Sequence, residues 1–213
     1  MKGLLIKDFK LMKNQKNFLF VIFIGAIASM LLSGFSSFLM GYFPFICSFF
    51  VLSTISYDEF DNGNAFLYTL PFSRKTYVKE KYLFGFLAGT AGCIISLIIT
   101  VLYRYFTHTG FSLTELLVPA AAVLMILIII LSFMLPIHLK FGGEKGRYAL
   151  FGIFLFLVLF GGIGLQFFPL EVLGEFLHAL KPAGFLSLLA VFTFVFTFIS
   201  YRISVLIQER KEF

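Results

Sequence analysis

Side chains able to do chemistry are few in this 213-residue chain, and most sit in short stretches between long apolar ones. The densest acidic group is Asp58, Glu59 and Asp61, followed at once by Asn62-Gly63, a strong turn pair. His138 stands near the end of one apolar stretch with Glu144 beyond it. A hydrolase working inside a membrane needs polar catalytic groups at membrane depth, and no acid pair or histidine cluster recurs within the apolar stretches. Gly142-Gly143-Glu144-Lys145-Gly146 has neither the spacing nor the following Ser or Thr of a phosphate-binding loop, so any ATP that is used must be bound by another chain. Glu171, Glu175 and His178 alternate with Leu170, Leu173, Phe176, Leu177 and Leu180. His178 there would suit a pH sensor or a metal ligand, and a solvated polar face accounts for the same pattern. Cys47 and Cys93 fall inside apolar stretches, where free thiols behave as small hydrophobes.

The elements that position these groups are six apolar stretches: Phe18–Phe35, Phe38–Ser56, Tyr82–Tyr103, Leu116–Leu139, Tyr148–Phe168 and Ala183–Ile207. A bilayer core of about 30 Å takes about 20 helical residues, and each stretch is close to that. The cations orient them. Lys2, Lys7, Lys10, Lys13 and Lys16 precede the first; Arg74, Lys75, Lys79 and Lys81 lie between the second and third. Lys140, Lys145 and Arg147 lie between the fourth and fifth, and Arg202, Arg210 and Lys211 close the sixth. Only Arg104 and Lys181 fall on the other face. Short cytoplasmic loops retain Lys and Arg, so both termini are expected in the cytoplasm.

Composition places the chain in the same class. It is 60% hydrophobic and 13% charged, with a mean hydropathy of +0.98, which is more apolar surface than a soluble domain of this length can hide. The net charge of +6 follows from the loop bias and from attraction to anionic lipid; no nucleic-acid module is present. The first stretch is expected to be a true span, since no small-x-small cleavage site precedes a soluble domain. No gap has room for a second domain, so residues 1–213 read as one transmembrane domain.

Outside the spans, Met1–Asn17 reads as a basic amphipathic helix, with Leu5, Phe9 and Met12 on one side and Lys7 and Lys10 on the other. It would serve as an elbow that transmits motion into the first span, or as a passive anchor. Tyr57–Lys81 is richer. After the acids and the turn comes a short apolar helix candidate through Ala65, Phe66, Leu67, Tyr68 and Leu70, ended by Pro71. Ser73 is then placed to cap a helix running through Tyr77 and Lys81 into the third span. Apolar residues in such a loop suggest a docking surface, or a loop folded onto the membrane. Pro169–Pro182 is expected to form a short re-entrant or interfacial helix capping the outer end. Gly85, Gly89 and Gly92 in the third span have spacing that lets helices approach closely, and Pro44 and Pro136 are candidate kinks.

Tyr57-Asp58-Glu59-Phe60-Asp61-Asn62-Gly63-Asn64, then Leu70-Pro71-Phe72-Ser73-Arg74-Lys75-Thr76-Tyr77-Val78 and Lys81-Tyr82, resembles the loop of type-2 ABC exporter permeases. These are small six-span subunits that pair with a separate ATPase. Phe60 departs from the pattern, since relatives often carry a charge there. In length and plan the chain is similar to permeases of bacterial exporters for phenol-soluble modulins and to permeases giving resistance to peptide antibiotics. The resemblance implies an all-α protein of a bacterial plasma membrane with six transmembrane helices and both termini in the cytoplasm. It implies a homodimer of permeases above two cytosolic ATPase subunits, an amphipathic peptide as substrate, and ATP and Mg bound only by the ATPase. It gives Asp58, Glu59, Asp61, Asn62, Gly63, Phe66, Leu67 and Arg74 to ATPase docking, with the coupling helix in Asp61–Leu70. It gives Glu171, Glu175, Phe176 and His178 to the outer cap, and no catalytic residue to this chain. Two other classes compete: a peptide-binding immunity or scaffold protein without transport, and an intramembrane enzyme.

Overall fold

A computed structural model describes residues 1–33, 36–60, 63–67, 69–108, 112–143, 145–146, 148–149, 152 and 182–211. Asp61, Asn62, Glu144, nearly all of the expected fifth span, and the outer cap with Glu171, Glu175, Phe176 and His178 lie outside the described residues. The helices are α1 Lys2–Asn14, α2 Lys16–Ser33, α3 Ser36–Glu59, α4 Gly63–Leu67, α5 Arg74–Phe106, α6 Leu113–Phe141 and α7 Pro182–Arg210. No strand occurs among the described residues. Helices α3, α5, α6 and α7 are long and apolar enough to cross a membrane; α2 is apolar but shorter. The stretches expected as spans one, two, three, four and six fall on α2, α3, α5, α6 and α7.

Local sequence explains where the long helices start. Ser73 Oγ accepts from the Thr76 amide at 3.2 Å, and Ser112 Oγ accepts from the Glu115 amide at 3.3 Å. Each satisfies an amide that has no partner within its own helix. Helix α5 has 33 residues and is therefore about 50 Å long. That exceeds the about 30 Å hydrocarbon core, so its first turns extend past the apolar layer.

Helix α5 lies at the centre, antiparallel to α3 and α6. Its glycines set the spacing. A Cβ on Gly85 would stand 2.8 Å from the Leu131 side chain, and one on Gly89 3.0 Å from Leu127. On Gly92 it would meet the Pro44 Cα at 3.0 Å and the Cys47 Sγ at 3.1 Å. Proline within α3 thus faces glycine on α5, and two backbones come close. Gly92→Leu is expected to cost about 1–3 kcal/mol through overpacking, because a backbone atom cannot swing away as a side chain can. Gly25→Ala, in α2 with nothing within 4 Å, is the matched control and should shift stability by no more than about 1 kcal/mol. Thermal unfolding of the two variants in detergent compares them, and equal midpoints would remove the claim of close packing at Gly92.

Helices α6 and α7 run side by side and parallel. Ser132 Oγ donates to Thr197 Oγ1 at 3.1 Å, Ser200 Oγ donates to the Ser132 carbonyl, and Lys211 Nζ donates to the Leu139 carbonyl at 3.2 Å. Phe141 and Pro182 therefore lie at opposite ends of this pair. Helix α7 turns its polar seam inward, with Thr193, Ser200, Ser204 and Gln208 buried. Tyr82 of α5 meets that seam at Ser200 (2.6 Å) and Ser204 (2.9 Å). Val191, Phe194, Phe198 and Leu206 point outward. A helix that is apolar outside and hydroxyl-lined inside fits a lipid-facing position.

Candidate docking face and the ion cluster behind it

Sequence order scatters α1, the last turns of α3, the first turns of α5 and the ends of α6 and α7. The fold brings them to one end of the bundle, and two polar networks join them there.

The first network centres on Lys81. Its ammonium is fully buried and stands 2.5 Å from Asp8 Oδ2 of α1 and 2.9 Å from Asp58 Oδ2 of α3. It also donates to Thr54 Oγ1 at 3.0 Å. An ammonium has three donors, and three oxygens meet them. Thr54 Oγ1 lies 3.0 Å from Asp8 Oδ2 as well, and the Tyr77 hydroxyl donates to Asp58 at 3.0 Å. Lys7 of α1 pairs with Asp58 and stands 3.4 Å from Asp8. Glu80, also fully buried, lies 3.8 Å from Lys81. Three carboxylates and two ammoniums thus bind three helices together. Apolar packing closes around them: Leu4, Phe50, Val51, Ile55, Tyr77, Val78 and Phe84 form one buried cluster, with Leu5 and Met12 against it. Phe9 meets Phe84 edge to face at 5.1 Å between ring centroids.

The second network fixes the chain's C-terminal turn. Arg74 donates to the carbonyls of Gln208 (2.9 Å), Glu209 (2.7 Å) and Lys211 (2.8 Å). These are the carbonyls a helix end leaves open, and a cation there is favoured by the helix dipole. Glu59 accepts from the Gly143 amide at 2.7 Å and from Lys211 Nζ at 2.8 Å. Gly142 has φ +80°, and a Cβ on Gly143 would come 2.4 Å from Ser56 Oγ. The turn after α6 therefore lies tight against the last turn of α3.

Helix α4 packs against α3 at the same end. The sequence pattern extends this helix to Leu70, but Thr69 and Leu70 lie outside it; their amides close tighter turns onto Phe66 and Leu67 carbonyls at 3.1 and 3.3 Å. Phe66 and Phe60 are each 72% exposed. Leu67 points inward and joins the buried cluster. Gly63 sits where a Cβ would be 2.9 Å from the Asp58 carbonyl, so the turn needs glycine. Beside Phe60 lies a groove of about 230 Å³ lined by Gln15, Ser53, Ser56 and Tyr57, with Gln15 Nε2 donating to the Tyr57 hydroxyl at 2.8 Å. Of the residues read as docking positions, Phe66 is open to a partner. Asp58, Glu59 and Arg74 are engaged within the chain.

Three expectations change. Lys7 does not lie on the far side of the elbow helix; it reaches into the bundle. The apolar face of α1 packs against α3 and α5, with Leu4 buried, rather than resting only in lipid. Lys81 counts as a loop cation in the charge pattern, yet it is fully buried among acids. Asp8 is the residue that sequence reasoning missed, although a signal was there. It falls midway between Leu4 and Met12 at four-residue steps, an acid within the apolar face.

The arrangement defines a class: a membrane-spanning protein, helical in its described elements, with two polar networks at one end of the bundle. The family model described as ABC-2 family transporter protein matches residues 3–209. The chain belongs to that family, and it is a membrane component of an ABC transporter. No curated protein and no solved structure gave a significant match.

Proposed function

We propose that this chain is the permease subunit of an ATP-driven exporter that moves amphipathic or hydrophobic peptides out of a bacterial cell. Membership of the ABC-2 family over nearly the whole chain carries this reading, and the exposed Phe66 on α4 supplies a place for an ATPase to act. The end of the bundle holding α4 faces the cytoplasm, as the clustering of cations there favours. Phe141 and Pro182 lie at opposite ends of the α6–α7 pair, which supports the expected fifth span, Tyr148–Phe168, between them. Two copies assemble, and each α4 seats in a groove of an ATPase subunit, which alone binds ATP and Mg. Closure of the ATPases moves α4; the Lys81 cluster passes that motion to α1, because Asp58 of α3, Lys81 of α5 and Asp8 of α1 share one set of contacts. The bias comes from ATP binding one arrangement better than the other.

The test is co-purification of the chain with an ATPase encoded beside it. Phe66→Asp places a charge on an exposed apolar position and should abolish association while the chain's own unfolding midpoint stays where it was. Failure of the wild type to hold any such ATPase would sink the exporter reading. Stimulation of ATP turnover by added amphipathic peptide, in the wild-type complex, tests the substrate class.

A further inference from the structure

The last turns of α6 and α7 enclose a groove of about 450 Å³ lined by Lys140, Ile203, Leu206, Ile207, Arg210 and Lys211. Its chemistry is divided along the helix axis. Ile203, Leu206 and Ile207 form an aliphatic floor, and Lys140 of α6 with Arg210, three to seven residues or about 5–10 Å further along α7, form a cationic rim. Among the described residues no acidic side chain lines it. Lys211 is turned toward Glu59 and the Leu139 carbonyl, which leaves Lys140 and Arg210 to set the charge of the rim. Neither pairs with a carboxylate among the described residues; Lys140 lies over the Phe141 ring at 5.1 Å. Both helices are long and apolar enough to cross a membrane, so the groove opens at the level where headgroups meet acyl chains.

We infer that this groove is a binding site for an anionic phospholipid of the surrounding bilayer, with the headgroup phosphate between Lys140 and Arg210 and the upper acyl chain along Ile203 and Leu206. A soluble anion would gain nothing from the aliphatic floor, and a zwitterionic lipid would bring its own cation to the rim. Juxtamembrane Lys and Arg each strengthen attraction to anionic lipid severalfold, so two together give about tenfold or more. The site needs neither an ATPase nor transport, and it stands or falls separately from the exporter reading.

Native mass spectrometry of the full chain from detergent, titrated with phosphatidylglycerol or phosphatidylcholine, measures it. The wild type should retain phosphatidylglycerol about tenfold better than phosphatidylcholine. Lys140→Gln with Arg210→Gln should erase that preference. Lys10→Gln with Lys79→Gln, removing two exposed cations elsewhere, should keep it. Equal retention of the two lipids by the wild type overturns the inference before any variant is considered. Equal losses in the two double variants also overturn it, since they would mean bulk charge alone. So does displacement of phosphatidylglycerol by inorganic phosphate, which would make the groove a site for the anion and not for the lipid.

Discussion

Lys81→Met is expected to lower the unfolding free energy by about 3–5 kcal/mol, the largest single-residue effect we anticipate. Methionine matches the length of the side chain and fills most of its space, so packing changes little. The electrostatics change greatly. Asp8, Asp58 and Glu80 remain, and only Lys7 is left to balance them; Asp8 and Glu80 are fully buried. Removing one partner of a buried pair leaves the other charge stranded in a poorly solvating interior, and that desolvation sets the cost. The argument carries its own control. Asp8→Asn added to Lys81→Met should recover part of the loss, because the fully buried carboxylate is then neutral while Lys7 keeps its pairing with Asp58. Thermal unfolding in detergent supplies the midpoints, and trypsin sensitivity within α1 reports whether the elbow has detached. A single variant within about 1 kcal/mol of the wild type would mean that Lys81 reaches water and the cluster is not closed.

Glu59→Lys is expected to cost about 2–4 kcal/mol, from a lost charge-assisted hydrogen bond to an amide and a reversed ion pair. Glu59 accepts from the Gly143 amide and from Lys211. The substitution sets two ammoniums side by side and leaves that amide without its acceptor. The Gly142-Gly143 turn has no slack to compensate, since Gly143 already lies against Ser56. Adding Lys211→Glu should restore the ion pair but not the amide contact, so recovery should be partial. Unfolding midpoints of the single and double variants, with protease cleavage near Arg210, separate the two contributions. A loss in the single variant below about 0.5 kcal/mol would show that these contacts do not hold the C-terminal turn. The consequence for function is direct. Loss of ATPase association in Glu59→Lys would report damage to the end of the bundle, whereas the same loss in Phe66→Asp would report a lost docking contact.

Much of this was legible in the residues because membrane helices obey a simple rule: a backbone without water must satisfy its own hydrogen bonds. Apolar length therefore marks α3, α6, α7 and the end of α5 within a few residues, while the start of α5, eight residues before its apolar stretch, is marked by Ser73 and Pro71 through capping and proline geometry. The Tyr57–Lys81 segment carries the family resemblance, which the match over residues 3–209 upholds. The site was less legible. Asp58, Glu59 and Arg74 look like surface charges in a loop, since periodicity reports which face of its own helix a residue occupies and says nothing of what is brought against that face.

The sequence by itself determined that this is a polytopic helical membrane protein of the type-2 ABC class, through apolar length and one loop's pattern. Tertiary structure alone decided which charges are internal. Asp8 and Lys81 are 73 residues apart, and only the antiparallel packing of α3 on α5, with α1 folded back across both, makes them neighbours. A charge enters the interior when its partners arrive with it, and that is a property of the assembled helices, not of any one of them.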